Sequence, residues 1–241
     1  MKRFRAQSGP FEEQLRFSTD EIDEMCLDAL RQAGLLPSSP EAIRIERFIE
    51  KHFQCRIQYE DLGPGAMGCT VFRENGSIQA VAISTRLDDG SNVSERRVRS
   101  TFAHEGGHCL MHPGLFMAGL GQGQFNSMGD KHENIDFKAR RILCRDGDIT
   151  AVGKKRGYDG RWWEWQANRA IGGLLLPVSL VRQAVAQFLE HSAITKSPSL
   201  PSGARTRAEK EVAGIFEVNP VVARIRLQEM FPENNSGQIE F

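Results

Sequence analysis

The sequence predicts an α+β protein. It should have a mainly helical domain, a small antiparallel β-sheet beside a helix carrying two paired histidines, and a C-terminal helical region resembling a helix-turn-helix. Three observations predict it. Apolar residues recur at helical spacing on either side of a central stretch, residues 56–83, where the period falls to two. Turn residues, Gly63-Pro64-Gly65 and Glu74-Asn75-Gly76, divide that stretch into three strands. After it comes His104-Glu105-x-x-His108, in a run whose apolar stripe is Val98, Phe102 and Leu110.

Residues 1–17 show no periodicity and read as a loose lead-in. Ser18-Thr19-Asp20-Glu21 is a capping-box pattern; Ile22, Met25, Cys26 and Leu30 share a helical face, and Gly34 ends the run. A second helix is expected to open at Ser39-Pro40-Glu41 and to carry Ile43, Ile45, Phe48, Ile49 and Phe53. The strands are residues 56–59, 69–72 and 78–83, antiparallel neighbours if each turn makes a hairpin. Ser94 is placed to cap the helix of the paired histidines. Glycines at 119, 121, 123 and 129 mark a loop, residues 141–150 read as a short hairpin, and Lys154-Lys155-Arg156-Gly157 reads as a solvated turn. Residues 162–171 should form a largely buried helix, stopped by Pro177. Trp162, Trp163 and Trp165 cannot share one helix face, so at least one should reach the surface. An amphipathic helix follows from Val178 to about Leu189, then a linker at 197–203. The expected organisation is a main domain at 18–196, with an insertion at about 115–160, and a helical pair at 204–232.

With 241 residues the chain can bury one sizeable core and carry a smaller appendage. Its 31 basic and 31 acidic residues balance, so no global field recruits nucleic acid or an anionic membrane. The five cysteines are scattered singly and odd in number, which argues against a disulfide framework. The basic N-terminus lacks an apolar core after it, and no run approaches membrane-spanning length. A cytoplasmic protein with no membrane partner is expected.

The chemistry sits in residues 100–112. Residues four apart on a helix lie one turn up the same face, so the His104 and His108 imidazoles can converge on one ion, and zinc suits such a pair. Glu105 directs its carboxylate toward the open coordination position, where it can take a proton from a water. Gly106 and Gly107 each cost a helix interior about 1 kcal/mol relative to alanine, which requires a reason such as close approach by a neighbouring strand or a substrate. A catalytic zinc usually takes a third protein ligand. Met111 and Gly114 stand where metzincin spacing needs glycine and histidine, and His112, two turns from His104, reads as structural. His132 and Glu133 are weak candidates in the loop. Glu164 is an acidic residue in an apolar, aromatic helix and needs a cation or a partner there. Spacing alone leaves it open between third ligand and ordinary buried ion pair.

Phe102, Ala103, His104, Glu105, Gly107 and His108, followed by Glu164, Ala167, Asn168, Leu174, Leu175 and Pro177, resemble the motifs of the ImmA/IrrE-type metallopeptidases. The resemblance runs from about residue 40 to the C-terminus. It implies that His104, His108 and Glu164 bind the metal and that Glu105 is the base. Ala170, Ile171 and Gly172 replace a common Phe-Ala-Ala segment, Gly106 replaces a common leucine, and the interval between the motifs is longer than usual for the family.

The leading expectation is a zinc-dependent endopeptidase, its zinc exchangeable for manganese, with Glu105 as general base and later proton donor. Tyr158, His132, Arg161 and Arg169 are candidate oxyanion stabilisers by residue type. Family members cut a DNA-binding repressor, so the resemblance implies a helix-turn-helix repressor as protein substrate, held as an extended segment by pairing with a sheet edge. Two other classes compete. A DNA-binding regulator would use the C-terminal helices, for which a hairpin packed on the main domain is the favoured alternative. A non-catalytic, metal-stabilised binding protein is the third.

Overall fold

Ser18 starts the first helix as its spacing requires: its hydroxyl accepts from the Glu21 amide at 3.2 Å while the Glu21 carboxylate accepts from the Ser18 amide at 2.8 Å. Helix α1 runs Thr19–Gln32, and Gly34 follows it with φ +63°. The computed structural model describes residues 2–5, 13–87, 89–116, 135–136, 138–146, 161–191 and 198–232. The glycine-rich loop, the Lys154-Lys155-Arg156 turn, His132, Glu133 and Tyr158 lie outside the described residues. Before α1, the expected loose lead-in contains two paired strands, β1 (Lys2–Arg5) and β2 (Glu13–Arg16), antiparallel to each other. Leu15 of β2 packs against the core, a contact that a periodicity reading of four-residue strands cannot see.

Helix α2 (Ile45–Phe53) begins later than its proline suggested. Ile43 is fully buried and its carbonyl accepts both from the Ile45 amide at 2.8 Å and from Arg99 Nη2 at 3.0 Å, partners that differ from the i+4 amide a helix would supply. Strands β3 (Arg56–Glu60), β4 (Ala66–Phe72) and β5 (Ile78–Ser84) form where expected, but the purely antiparallel sheet is corrected. β4 and β5 make a hairpin through Gly76 (φ +79°), whereas β3 runs parallel to β5 on its far side. Alternating polarity shows that a segment is a strand; it says nothing about its neighbour. Of the expected hairpin at 141–150, the described residues supply β7 (Arg141–Arg145), which pairs antiparallel with β4 and with β6 (Ile135–Asp136), while 147–150 lie outside the described residues. The result is a five-stranded mixed sheet in the order β3-β5-β4-β7-β6, so the described part of the expected insertion completes the sheet.

Helix α3 (Asn92–Met111) crosses beneath this sheet. Its cap is Ser91, whose hydroxyl accepts from the Ser94 amide at 3.1 Å; Ser94, the expected cap, turns its own hydroxyl back to the Ser91 carbonyl. Helix α4 (Trp162–Leu175) packs along α3, buries Trp162 and Trp163 and leaves Trp165 39% exposed beneath Arg169. The amphipathic helix after Pro177 is shorter than expected: α5 spans Val178–Ala184, a 3₁₀ turn follows, and the expected linker pairs Pro198–Ser199 (β9) with Glu190–His191 (β8).

The C-terminal pair is α6 (Ser202–Ile215) and α7 (Pro220–Met230), with Asn219 capping α7. Ala208, Val212, Phe216 and Leu227 belong to the same apolar core as Ile22, Phe48, Phe102 and Leu174, so the pair is packed on the main domain. Arg226 ties it down. Only 3% exposed, its guanidinium meets Asp23 of α1 at 2.9 and 3.0 Å and donates to the Leu176 carbonyl at 3.0 Å. Arg226→Met should therefore cost about 3 kcal/mol of stability, since it leaves a half-buried carboxylate and a buried carbonyl without their donor. Urea denaturation checks this; a midpoint within error of the wild type would show that the pair contributes nothing. Among the described residues, no helix is long and apolar enough to cross a membrane.

Candidate metal centre

Helix α3 presents His104 and His108 on one face and Glu105 on another, and all three side chains are fully buried. The Nε2 atoms of the two histidines face each other at 3.1 Å. Glu164, at the start of α4, brings one carboxylate oxygen to 3.2 Å from His104 Nε2 and 3.7 Å from His108 Nε2. A tetrahedral ion with ligand bonds of about 2.0–2.1 Å sets its ligand atoms about 3.4 Å apart. The three observed separations bracket that value, so buried His104, His108 and Glu164 form a candidate metal-binding group. Among the described residues, only the Nε2 atoms of the two imidazoles face the Glu164 carboxylate, and neither of its oxygens has a hydrogen-bond donor. Burial pushes its pKa up, but the imidazoles beside it, His108 foremost, outweigh that and hold it below the usual carboxylate range. A buried anion compensated only by two neutral-capable rings is a carboxylate prepared for a cation.

The outer ring nitrogens set which nitrogen carries the proton. Gln166 donates its amide N–H to the Leu15 carbonyl at 2.6 Å, which turns its oxygen toward His112 Nε2 at 3.0 Å. His112 therefore donates from Nε2 and offers a bare Nδ1, which lies 2.9 Å from His108 Nδ1. His108 in turn donates from Nδ1 and keeps the lone pair of Nε2 for an ion. The relay needs a neutral His112, and burial, reinforced by His108, pushes its pKa down to about 3. Likewise His104 Nδ1 meets Asn168 Oδ1 at 3.1 Å, leaving its Nε2 directed inward. The structural reading of His112 thus becomes a specific task, orienting the candidate ligand His108, and the lead-in strand β2 anchors the far end of this relay.

Two glycines make this packing fit. A Cβ on Gly107 would lie 2.8 Å from Ala170 Cβ and 2.9 Å from Ala167 Cα, so the close approach expected from a strand or a substrate comes from helix α4. Overhead, Gly68 of β4 passes directly above Glu105: a Cβ there would lie 2.6 Å from both Glu105 Oε1 and Thr101 Cγ2. Thr70, two residues on, donates its hydroxyl to Glu105 Oε2 at 2.6 Å. Gly68→Ala should therefore push the Glu105 carboxylate aside at a cost of about 1–3 kcal/mol while the three candidate ligands keep their places. Metal content together with the denaturation midpoint tests it, and an unchanged midpoint would mean that the strand simply lifts.

The structure brings His104, His108 and Glu164 together, and places a carboxylate oxygen of Glu105 within 4.8 Å of a ring nitrogen of His104 on a different face of α3. Arg161 and Arg169 sit on or beside α4, where Arg169 pairs with Glu229 of α7. Four participants were not foreseen: Gly68, Thr70, Gln166 and Cys144. Cys144 Sγ, on β7, comes within 4.8 Å of ligand atoms of His104 and Glu105. No motif marks these positions, because each belongs to the site only through sheet register or through a side chain crossing between helices. β4, the strand over Glu105, is hydrogen-bonded to β5 on one side and to β7 on the other, so the edges of the described sheet are β3 and β6. No family model matches the chain, and no curated protein matches it.

Proposed function

We propose that the chain is a zinc-dependent endopeptidase of the ImmA/IrrE type, acting on a regulatory protein such as a helix-turn-helix repressor. One observation carries the proposal: a histidine pair and a carboxylate from a second helix converge at the spacing of ligand atoms around one ion, and Glu105, adjacent in sequence, reaches within 4.8 Å of His104. Zinc bound there would polarise a water and the scissile carbonyl. Glu105 would serve as the base that accepts a proton from the attacking water and returns it to the leaving amine, a role that needs a carboxylate held close but not ligated. Thr70 holds it so. Asn168 and the His112–Gln166 relay keep the two imidazoles in the tautomer that binds metal. Manganese could replace zinc at a nitrogen–oxygen site of this kind.

Complete burial of Glu105 favours a second reading, a metal-stabilised binding protein without turnover. DNA binding through α7 has less support, because Arg226 is turned inward onto Asp23. Incubating the zinc-loaded protein with helix-turn-helix repressors, with Glu105→Gln as control, decides between the readings. One cut in a repressor linker, absent with the variant, is the expected result. No cleavage of any protein would leave the binding-protein reading, and salt-dependent duplex binding that survives metal removal would leave the DNA-binding one.

A further inference from the structure

We propose that the cavity between α3, α4 and α7 is a specificity pocket that takes one uncharged apolar side chain, of leucine to phenylalanine size, from a residue beside the scissile bond; this rests on the peptidase reading above. The cavity encloses about 210 Å³ and its walls include Met67, Ile171, Val222 and Ile225. An apolar cavity of about 150 Å³ holds a benzene ring, so this one admits a branched or aromatic side chain.

Charge at the rim narrows the occupant. Arg97 meets Asp146 at 3.0 Å, Arg169 pairs with Glu229, and Arg226 is held by Asp23 at 2.9 and 3.0 Å, so each charge lining the cavity already has an opposite partner. A charged side chain entering the cavity would lose its water and gain no counter-charge. An apolar one loses nothing polar and buries its surface.

Position ties the cavity to the metal centre. Thr101 lies one helical turn before Glu105 on α3, Asn168 lies one turn after Glu164 on α4, and both line the cavity. Asn168 also contacts His104. One turn is about 5.4 Å, and an extended chain advances about 3.3 Å per residue. The pocket therefore serves a substrate residue one or two positions from the cut. Helix α7 forms much of the wall, which gives the C-terminal pair a task in substrate selection.

The test uses the zinc-loaded full chain and a mixed library of proteome-derived peptides, with cleavage positions read by mass spectrometry. Leucine, methionine and phenylalanine should be enriched at one position beside the cut. Val222→Phe, which fills the pocket, should lower that enrichment at least tenfold in favour of small residues. Val221→Trp, at an exposed rim position, should do the same without a change to the core. A second arm needs no turnover. Zinc-loaded Glu105→Gln protein is titrated calorimetrically with tetrapeptides that carry leucine, alanine or aspartate at that position, or at each position in turn if no cut is found. Tighter binding of the leucine peptide, lost in the Val221→Trp background, supports the pocket even if no peptide is ever cleaved, an outcome that would sink the peptidase reading alone. Equal binding of all three peptides, or an unaltered cleavage profile in both filled variants, overturns the pocket while leaving the metal centre intact.

Discussion

His104→Ala and His108→Ala are each expected to lose the metal from a protein that still folds. Structural zinc is bound by about 10–16 kcal/mol through four ligands, or roughly 2.5–4 kcal/mol per ligand, so one missing imidazole lowers affinity about 10²–10³-fold. The two remaining protein ligands cannot hold the ion against dialysis with a competing chelator. Glu164→Ala should fall in the same range, with a smaller effect on the melting temperature than on metal affinity. Variants of the outer partners should be graded below the ligands. His112→Ala or Asn168→Ala leaves all three ligands in place but frees one ring to rotate, and a loss of about 10–100-fold is expected. Elemental analysis after dialysis, followed by chelator competition, reads the series. Full metal content in both histidine variants would remove the site, and a Glu164 variant that lost stability alone would make that carboxylate a structural one.

The second large effect is catalytic. Glu105→Gln is expected to keep the metal, the fold and the Thr70 contact, because the amide oxygen still accepts from the hydroxyl 2.6 Å away. What it cannot do is take a proton. General-base catalysis contributes about 10²–10⁴-fold, so on the proposed peptidase reading peptide cleavage should fall by that factor at unchanged zinc content. Residual activity within threefold of the wild type would move the proton transfer to another group.

Much of this was legible in the sequence, for reasons tied to particular residues. Ser18 and Glu21 announce the first helix because capping chemistry is local. His104, Glu105 and His108 announce the centre because a helix converts sequence spacing directly into a shared face. Glu164 stood out as a charge among tryptophans, and its partners proved to be the two histidines. What stayed hidden depends on contacts between distant segments. The parallel pairing of β3 with β5, the Arg99 bond that delays α2, and the passage of Gly68 over Glu105 are tertiary choices with no local signature. The relay from Leu15 through Gln166 and His112 to His108 spans three elements, and one of them, β2, lies in a stretch without periodicity to mark it.

X-ray absorption at the zinc edge of the loaded protein tests the centre most directly, alongside Glu164→Gln. The account predicts a first shell of nitrogen and oxygen at about 2.0–2.2 Å with the scattering pattern of two imidazoles, and an altered light-atom shell in the variant. A sulfur neighbour at about 2.3 Å would instead put the nearby Cys144 thiolate on the metal. That result, or a spectrum unchanged by Glu164→Gln, would contradict the assignment of His104, His108 and Glu164 as the ligand set.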